Sequence, residues 1–432
     1  MKKAASFALG CKVNQYESEA IAELFAEKGY EIVGIDEEAD VYVINTCTVT
    51  NFGDKKSRQL IRKVKRQNEN AIVAVVGCYA QTAPKELMEI AGVNLVIGTK
   101  DRAQIVEMVE QYDRANGVEN HVSDIMKERV FEPLSIQKLA NRTRAYLKIQ
   151  DGCSQYCSYC IIPYARGPIR SREPQEVVAE VKRLAENGFK EVVLTGIHVA
   201  SYGKDRRDTS LLDILKQVHE VEGIERIRFS SIEPNVVTEE FAQTMAALPK
   251  VCDHFHLSLQ SGCDKTLKEM NRKYDTEKYR QAVATLRKYL PKVALTTDII
   301  VGFPGETEED FRESYAFAEE IGFAKIHVFP YSPKRGTPAA ARKDQLLNAV
   351  KAERSHTLIQ LSDKMAADFL ADAVGTDAEV LYERAVGEGI YEGHTTNYMK
   401  VHGRSEVDLT NRICKTHITR AEGEMLFGDA EV

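Results

Sequence analysis

Three cysteines lie close together in the middle of the chain, in the stretch Cys153-Ser-Gln-Tyr-Cys157-Ser-Tyr-Cys160. A structural zinc site needs four ligands, usually supplied as two CxxC pairs, and no fourth Cys or His lies near this trio. A cubane iron–sulfur cluster is normally held by four thiolates. Three thiolates therefore indicate a cluster with one iron open to a small molecule, with zinc or inert buried thiols as the alternatives.

A second set of three cysteines lies upstream, and each follows a short apolar run of strand length. The runs occupy residues 5–11, 41–47 and 72–78 and end in Cys11, Cys47 and Cys78. Stretches with helical periodicity separate them, which predicts a parallel sheet whose ligand site lies at the carboxyl ends of the strands. The three thiols are expected to converge there on a second cluster. The alternative is that they only pack beside the strands, as buried cysteines often do.

Length and composition are typical of a multidomain cytoplasmic protein in a reducing compartment. The 432 residues predict two to four domains, the nine cysteines are odd in number, and no apolar run is long enough to span a membrane. A net charge of −7 does not favour RNA binding by the whole molecule. Basic residues nevertheless follow one another along a helix-like stretch, either as a solvated face or as a surface for phosphates: Lys55, Lys56, Arg58, Arg62, Lys63, Lys65 and Arg66.

From residue 143 a new strand–helix rhythm begins. Six strand candidates lie at 145–149, 191–196, 226–230, 254–259, 294–301 and 325–329. Helical stretches lie between most of them, so we expect a parallel architecture related to the eight-stranded barrel but with six units. In such barrels the chemistry is located at the carboxyl ends of the strands, and the cysteine trio follows the first strand.

The last part of the chain changes character again. After an amphipathic helical link at 346–370, short strand-like segments separated by glycines predict a small antiparallel barrel. Basic and aromatic residues alternate within it, which favours nucleic-acid binding by charge and stacking over a simple covering domain: Tyr391, His394, Tyr398, Lys400, His402, Arg404, Arg412 and Lys415.

The CxxxCxxC trio resembles the signature of the radical S-adenosylmethionine enzymes, residue for residue. The resemblance implies that Cys153, Cys157 and Cys160 hold a [4Fe-4S] cluster whose open iron binds S-adenosylmethionine and cleaves it to a 5′-deoxyadenosyl radical. It also implies a partial six-stranded barrel that cradles this cofactor. The residues expected to line its pocket are Tyr159, Gly196, Gln260, Arg272 and Asp298.

Taken in order, the three parts of the chain resemble the methylthiotransferase family over nearly all 432 residues. The family's organisation implies an amino-terminal iron–sulfur domain at 1–112, a radical S-adenosylmethionine core at 139–369 and a TRAM-like RNA-binding β-barrel at 371–432. It also implies two [4Fe-4S] clusters, the second held by Cys11, Cys47 and Cys78. The motifs around Cys11 and Cys153 look most like the branch that acts on N6-threonylcarbamoyladenosine at position 37 of tRNA.

The resemblance thus implies methylthiolation at C2 of that adenosine, in the anticodon loop, with an electron donor and a sulfur source as further partners. Catalytic side chains other than the cluster ligands are not indicated. A modifier of isopentenyladenosine or of a ribosomal-protein aspartate is an alternative, and a non-catalytic iron–sulfur RNA-binding protein is a third possibility. A vacant iron position argues against the last, because a purely structural cluster gains nothing from it.

Overall fold

The computed structural model describes residues 1–136 and 143–431. The expected start of the core at residue 139 and the last residue, Val432, therefore lie outside the described residues. The described chain contains two α/β units followed by a closed β-barrel, which confirms the predicted fold class. None of its helices combines the length and the apolarity that a membrane span requires.

The first unit is a six-stranded parallel sheet in the order β2-β1-β3-β4-β5-β6. Its strands are β1 (Lys3–Ala8), β2 (Glu31–Ile32), β3 (Val41–Thr46), β4 (Ile72–Gly77), β5 (Leu95–Val96) and β6 (Glu119–Asn120). Its helices are α1 (Lys12–Glu27), α2 (Asn51–Gln67), α3 (Cys78–Thr82), α4 (Pro84–Met88) and α5 (Ile105–Gln111). The sheet continues past residue 112, the boundary expected from the sequence.

Side chains of the central strands point alternately to the two faces of the sheet, and helices cover both faces. Tyr42 and Ile44 of β3 face α2 in one apolar cluster, whereas Val41 and Val43 face α1 and α5 in another. Because successive side chains of a strand point to opposite faces, an unbroken apolar run buries both faces of a parallel sheet. The three cysteine-ending runs of the sequence are β1, β3 and β4, which are neighbours in the sheet.

The core contains the six expected parallel strands. Its elements are β7 (Arg144–Asp151), the short antiparallel β8 (Arg170–Ser171), β9 (Glu191–Gly196), β10 (Arg226–Phe229), β11 (His254–His256), β12 (Ala294–Val301) and β13 (Lys325–Pro330). Two sheets, β10-β9-β7-β8 and β11-β12-β13, are joined by parallel bridges at Ile227–Val251 and Ile232–Leu257. The result is a partial barrel.

Helices cover the outside of this barrel. They are α6 (Ile162–Arg166), α7 (Pro174–Glu186), α8 (Leu211–His219), α9 (Glu239–Ala247), α10 (Asp264–Glu269), α11 (Thr276–Tyr289), α12 (Glu308–Ile321) and α13 (Asn348–Ala371). Short 3₁₀ helices lie in connections at Arg102–Gln104, Arg114–Asn116, Ile125–Lys127, Val199–Ser201, Pro234–Val236 and Ala339–Ala341. The apolar sides of helices and strands form one large cluster around Leu147, Leu194 and Leu295.

The last unit is a closed five-stranded barrel in the order β14-β15-β16-β18-β17. Its strands are β14 (Asp377–Gly387), β15 (Ile390–Thr395), β16 (Lys400–Arg404), β17 (Ile413–Glu422) and β18 (Met425–Ala430). The strand-like segments of the sequence, at 378–382, 389–393 and 398–401, predict the first three strands only. Strand β17 alternates buried and exposed residues from Cys414 to Ile418, but its inward positions include Thr416, so its apolar signal is weak.

A buried group of charged side chains joins the first unit to the core. Glu17 of α1 is fully buried and pairs with Arg102 at 2.5 Å, Arg166 at 2.5 Å and Lys148 at 2.7 Å. Asp151 pairs with Lys148 at 2.6 Å. Burial alone would raise the pKa of Glu17, but these cations outweigh it and hold the pKa well below its usual value.

Replacing Glu17 with Gln should therefore destabilise the protein strongly. Removing one partner of a buried ion pair leaves uncompensated charge and costs about 3–5 kcal/mol, and here three cations lose a partner. We expect a clearly lower midpoint of thermal unfolding, measured on the metal-free protein. Glu27→Gln, at the exposed end of the same helix, is the matched control and should change stability by no more than about 0.5 kcal/mol. Equal midpoints for the two variants would contradict this account.

Candidate cofactor and substrate site

A cavity of about 1060 Å³ lies where the first unit, the core and the last barrel meet. Cys11 lines it from the first unit, the trio Cys153, Cys157 and Cys160 lines it from the core, and Tyr398 lines it from the last barrel. All three units thus contribute to its wall. Its volume is at the upper end of the range of small-molecule sites.

The upstream cysteines meet at one edge of the first sheet, as their positions in the sequence predict. Cys11 caps the start of α1 after β1, Cys47 directly follows β3, and Cys78 begins α3 after β4. Burial, reinforced by the neighbouring Cys78 thiol, raises the pKa of Cys47 to about 12. The three thiols therefore lie near enough to act on one another electrostatically.

Glycines form the tight turns that precede several of these cysteines. Gly10, Gly77 and Gly152 each precede a cysteine and have φ values of +99°, +95° and +73°, a conformation that side chains rarely adopt. A Cβ on Gly10 would lie 2.6 Å from the Cβ of Cys47, and one on Gly152 would collide with the carbonyl oxygen of Pro168. The turns that aim these thiols therefore need glycine for both backbone conformation and space.

The central trio lies in the loop between β7 and α6, at the carboxyl end of the first core strand. Burial, followed by the neighbouring Cys157 thiol, raises the pKa of Cys160 to about 12. Arg272 donates from Nη1 to the sulfur of Cys157 at 3.2 Å, and its Nη2 lies 2.9 Å from a carboxylate oxygen of Glu233. The guanidinium thus orients this sulfur and places a positive charge beside it.

Each group offers three thiols, and thiolates are the usual ligands of an iron–sulfur cluster. Among the described residues, no three His, Cys, Asp or Glu side chains converge closely enough to hold one ion. The thiolates of a cubane cluster each bind a different iron, so they are spaced more widely than the ligands of one ion. Bound metal would also offset the raised pKa values, because a coordinated thiol is deprotonated.

The pocket residues expected from the sequence fall into two groups. Tyr159, Gly196, Arg272 and Asp298 line the cavity, but Gln260 is not among its lining residues. The backbone N–H of Gln260 instead donates to the carbonyl oxygen of Asp298 at 2.8 Å, with φ at +70°. A Cβ on Gly196 would lie 2.8 Å from the amide oxygen of Gln150, so the backbone there is closely packed.

Comparison with known proteins agrees with this geometry. Residues 147–318 match the model of the radical SAM superfamily, and residues 3–98 match that of uncharacterized protein family UPF0004. The threonylcarbamoyladenosine tRNA methylthiotransferase MtaB of Bacillus subtilis (strain 168) is 47% identical over 426 residues, covering 98% of this chain and 94% of the relative. The chain belongs to the radical S-adenosylmethionine methylthiotransferase family, in its MtaB-like branch.

Other relatives of this methylthiotransferase lie further away. The tRNA-2-methylthio-N(6)-dimethylallyladenosine synthase of Moorella thermoacetica is 36% identical and covers 97% of this chain and 96% of its own. Among solved structures, the radical S-adenosylmethionine methyltransferase TsrM from Kitasatospora setae matches with a TM-score of 0.57 at 17% identity, covering 79% of this chain and 75% of its own. At that identity the structural match supports the fold alone.

Sequence reasoning assigned no role to two residues that hold the methylthiotransferase site together. The fully buried Arg166 donates from Nε to the sulfur of Cys78 at 3.1 Å and from Nη2 to Asn14 at 2.6 Å. It follows the central trio by a few residues but has no spacing signal of its own. Glu233, which pairs with Arg272, lies just after a core strand. Its position at a strand's carboxyl end is the sequence feature that could have indicated a role in the site.

The last barrel forms part of the cavity wall through Tyr398. Tyr398 has φ at +70°, and its ring lies 4.7 Å from the guanidinium of Arg228, 4.8 Å from His394 and 5.0 Å from His254. The sequence suggested Tyr398 as a stacking platform for RNA bases. In the structure its ring is instead packed against these side chains where the core and the barrel meet.

Proposed function

We propose that the protein methylthiolates tRNA at C2 of N6-threonylcarbamoyladenosine at position 37. The observation that carries the proposal is that Cys11 and the trio Cys153, Cys157 and Cys160 line one cavity. A reaction that generates a radical at one group of thiols and delivers sulfur from the other needs both to face the same substrate. The names of the relatives, with MtaB at 47% identity, favour threonylcarbamoyladenosine over dimethylallyladenosine.

We further propose that the chain holds two [4Fe-4S] clusters within three domains. The sequence puts these at 1–112, 139–369 and 371–432, and strand β6 extends the first to Asn120. One cluster would be held by Cys153, Cys157 and Cys160 and the other by Cys11, Cys47 and Cys78. When bound, the core cluster supplies the electron that cleaves S-adenosylmethionine. Position 37 lies in a single-stranded loop, where a base is presented at little unstacking cost.

The chain's own residues have distinct tasks in this scheme. Arg272 orients Cys157 and is itself held by Glu233 and by the Tyr274 hydroxyl at 2.9 Å. Arg166 ties Cys78 of the first unit to the core. Tyr159, Gly196 and Asp298 line the part of the wall expected to receive S-adenosylmethionine. The three units surround the cavity and limit the access of water to a reactive radical. An electron donor and a sulfur source complete the list of partners.

Analysis of tRNA nucleosides by mass spectrometry tests the substrate directly. A strain without the gene should lose the 2-methylthio derivative of N6-threonylcarbamoyladenosine and accumulate the unmodified precursor. Re-expression of the gene should restore the derivative, and a copy with Cys153, Cys157 and Cys160 replaced by Ala is the matched control. Loss of the methylthiolated dimethylallyladenosine instead would assign the protein to the other substrate.

Two triple variants should separate the roles of the two thiol groups. Replacing Cys153, Cys157 and Cys160 with Ala should leave roughly half the iron and sulfide after anaerobic reconstitution and abolish cleavage of S-adenosylmethionine. Replacing Cys11, Cys47 and Cys78 should also remove about half the iron but spare 5′-deoxyadenosine formation while stopping methylthiolation.

The readouts are iron and sulfide content, 5′-deoxyadenosine and the modified nucleoside. The control for loss of a thiol is Cys252→Ala, which should retain both clusters. Cys252 is buried and lies outside the cavity lining. If the first triple variant kept its full iron content and still cleaved the cofactor, the assignment of the radical site would be wrong.

The outer face of the last barrel should contact tRNA phosphates through Arg404 and Arg412, which are exposed. Truncating the barrel is a poor test, because Arg226 and Arg228 of the core donate to its backbone carbonyls and would lose these acceptors. Arg404→Ala and Arg412→Ala should each lower the slope of log affinity against log salt by about 0.7–0.9. Lys292→Ala, exposed on the core, is the control. An unchanged slope in the double variant would place the docking surface elsewhere.

A further inference from the structure

Among the described residues, one lysine on the cavity wall has no carboxylate partner. Lys12, the first residue of α1, lines the cavity next to Cys11. Its ammonium lies 5.8 Å from the ring centroid of Tyr146. Within the described residues its Nζ makes no hydrogen bond or ion pair that meets the usual distance limits, although it is surrounded by charged groups.

The other basic side chains on the cavity wall are already paired. Lys325 contacts Asp363 at 3.0 Å and Glu424 at 2.6 Å. Lys400 lies 3.5 Å from Glu392, and Arg272 is held by Glu233. A cavity cation with an internal carboxylate partner has little charge left to attract a ligand. Lys12 is different in this respect.

The charges nearest to Lys12 do not neutralise it. Those that act on it most strongly are Arg144, Arg228 and Glu191. Glu191 is shared by both arginines, with its Oε1 2.5 Å from Arg144 and 2.9 Å from Arg228. Glu383 of the last barrel pairs with Arg144 at 2.7 Å. Arg144 and Arg228 lie behind the cavity wall rather than on it, and they engage both Glu191 and Glu383. Among the described residues this group of charges therefore supplies no carboxylate partner for Lys12.

Two histidines on this part of the wall, His254 and His327, are uncharged. Burial, followed by Arg228, lowers the pKa of His254 well below its usual value, and burial followed by His256 also lowers the pKa of His327. Both rings are therefore neutral near pH 7 and can exchange hydrogen bonds with hydroxyl or urea groups. An anion with polar neutral groups beside it fits this surface.

We propose that Lys12 is a specificity-determining residue that binds the carboxylate of the threonylcarbamoyl group. This rests on the proposed function, because that group is what distinguishes the substrate from a dimethylallyl nucleoside. The threonylcarbamoyl group carries one carboxylate, one hydroxyl and a urea, whereas a dimethylallyl group carries no charge. The N6 substituent and C2 flank the same edge of the purine, so holding the carboxylate positions C2.

The test compares binding of two anticodon stem-loop RNAs, one with N6-threonylcarbamoyladenosine and one with its methyl ester, which lacks the charge. Wild-type protein should bind the carboxylate form roughly 10- to 100-fold more tightly, as expected for a hydrogen bond between two charged groups. Lys12→Met should reduce this ratio to about one, and Lys12→Arg should restore most of it. Affinities are measured by fluorescence anisotropy with the reconstituted protein.

Turnover provides a second readout. With the carboxylate RNA, Lys12→Met should raise KM by roughly ten-fold or more while 5′-deoxyadenosine formation and iron content stay at wild-type values. The control is Lys28→Met, which lies at the other end of α1, outside the cavity lining, and contacts Glu107 at 3.5 Å. It should leave the binding ratio unchanged.

The outcomes separate the two proposals. If the wild-type protein methylthiolates the carboxylate RNA but Lys12→Met keeps the preference for it over the ester, the role of Lys12 is refuted and the proposed function stands. If the wild-type protein, with both clusters loaded, does not methylthiolate the carboxylate RNA, the proposed function fails and the role of Lys12 fails with it.

Discussion

The arrangement of the two cysteine groups depends on the buried ion pairs of the Glu17 carboxylate. It lies on the helix that begins next to Cys11, and its oxygens accept hydrogen bonds from Lys148 and Arg166 of the core. Ion pairs in a low-dielectric interior contribute to stability only when every charge is compensated. The geometry that compensates these charges therefore also sets the distance and orientation between the first sheet and the core barrel.

This constraint has a chemical consequence, because Arg166 contacts both the carboxylate network and the sulfur of Cys78. A single guanidinium thus orients a ligand of the proposed auxiliary cluster and anchors it to the unit that contains the central trio. Side chains held by packing and by further hydrogen bonds keep a site within small tolerances. The proposed sulfur transfer between two centres in different domains needs that precision.

Sequence reasoning worked where the signal is local. Apolar strand runs ending in Cys11, Cys47 and Cys78 predicted thiols at neighbouring strand ends, because topology alone brings the carboxyl ends of parallel strands together. It could not find the partner of Glu17, since Arg166 is 149 positions away and an isolated charge has no periodicity. Strand β17 was missed for a related reason, because its inward positions include the polar Thr416.

The cavity wall depends on contacts between the core and the last barrel. Arg226 and Arg228 of β10 donate to backbone carbonyls at His394, Thr395 and Thr396. These bonds hold the loop between β15 and β16 against the core and place Tyr398 on the cavity wall. The barrel proposed to bind tRNA phosphates thus also closes the pocket for the modified base. The proposed function therefore implies that docking of the RNA and selection of its base are coupled through the same arginine contacts, because a shift of the barrel would move both surfaces together.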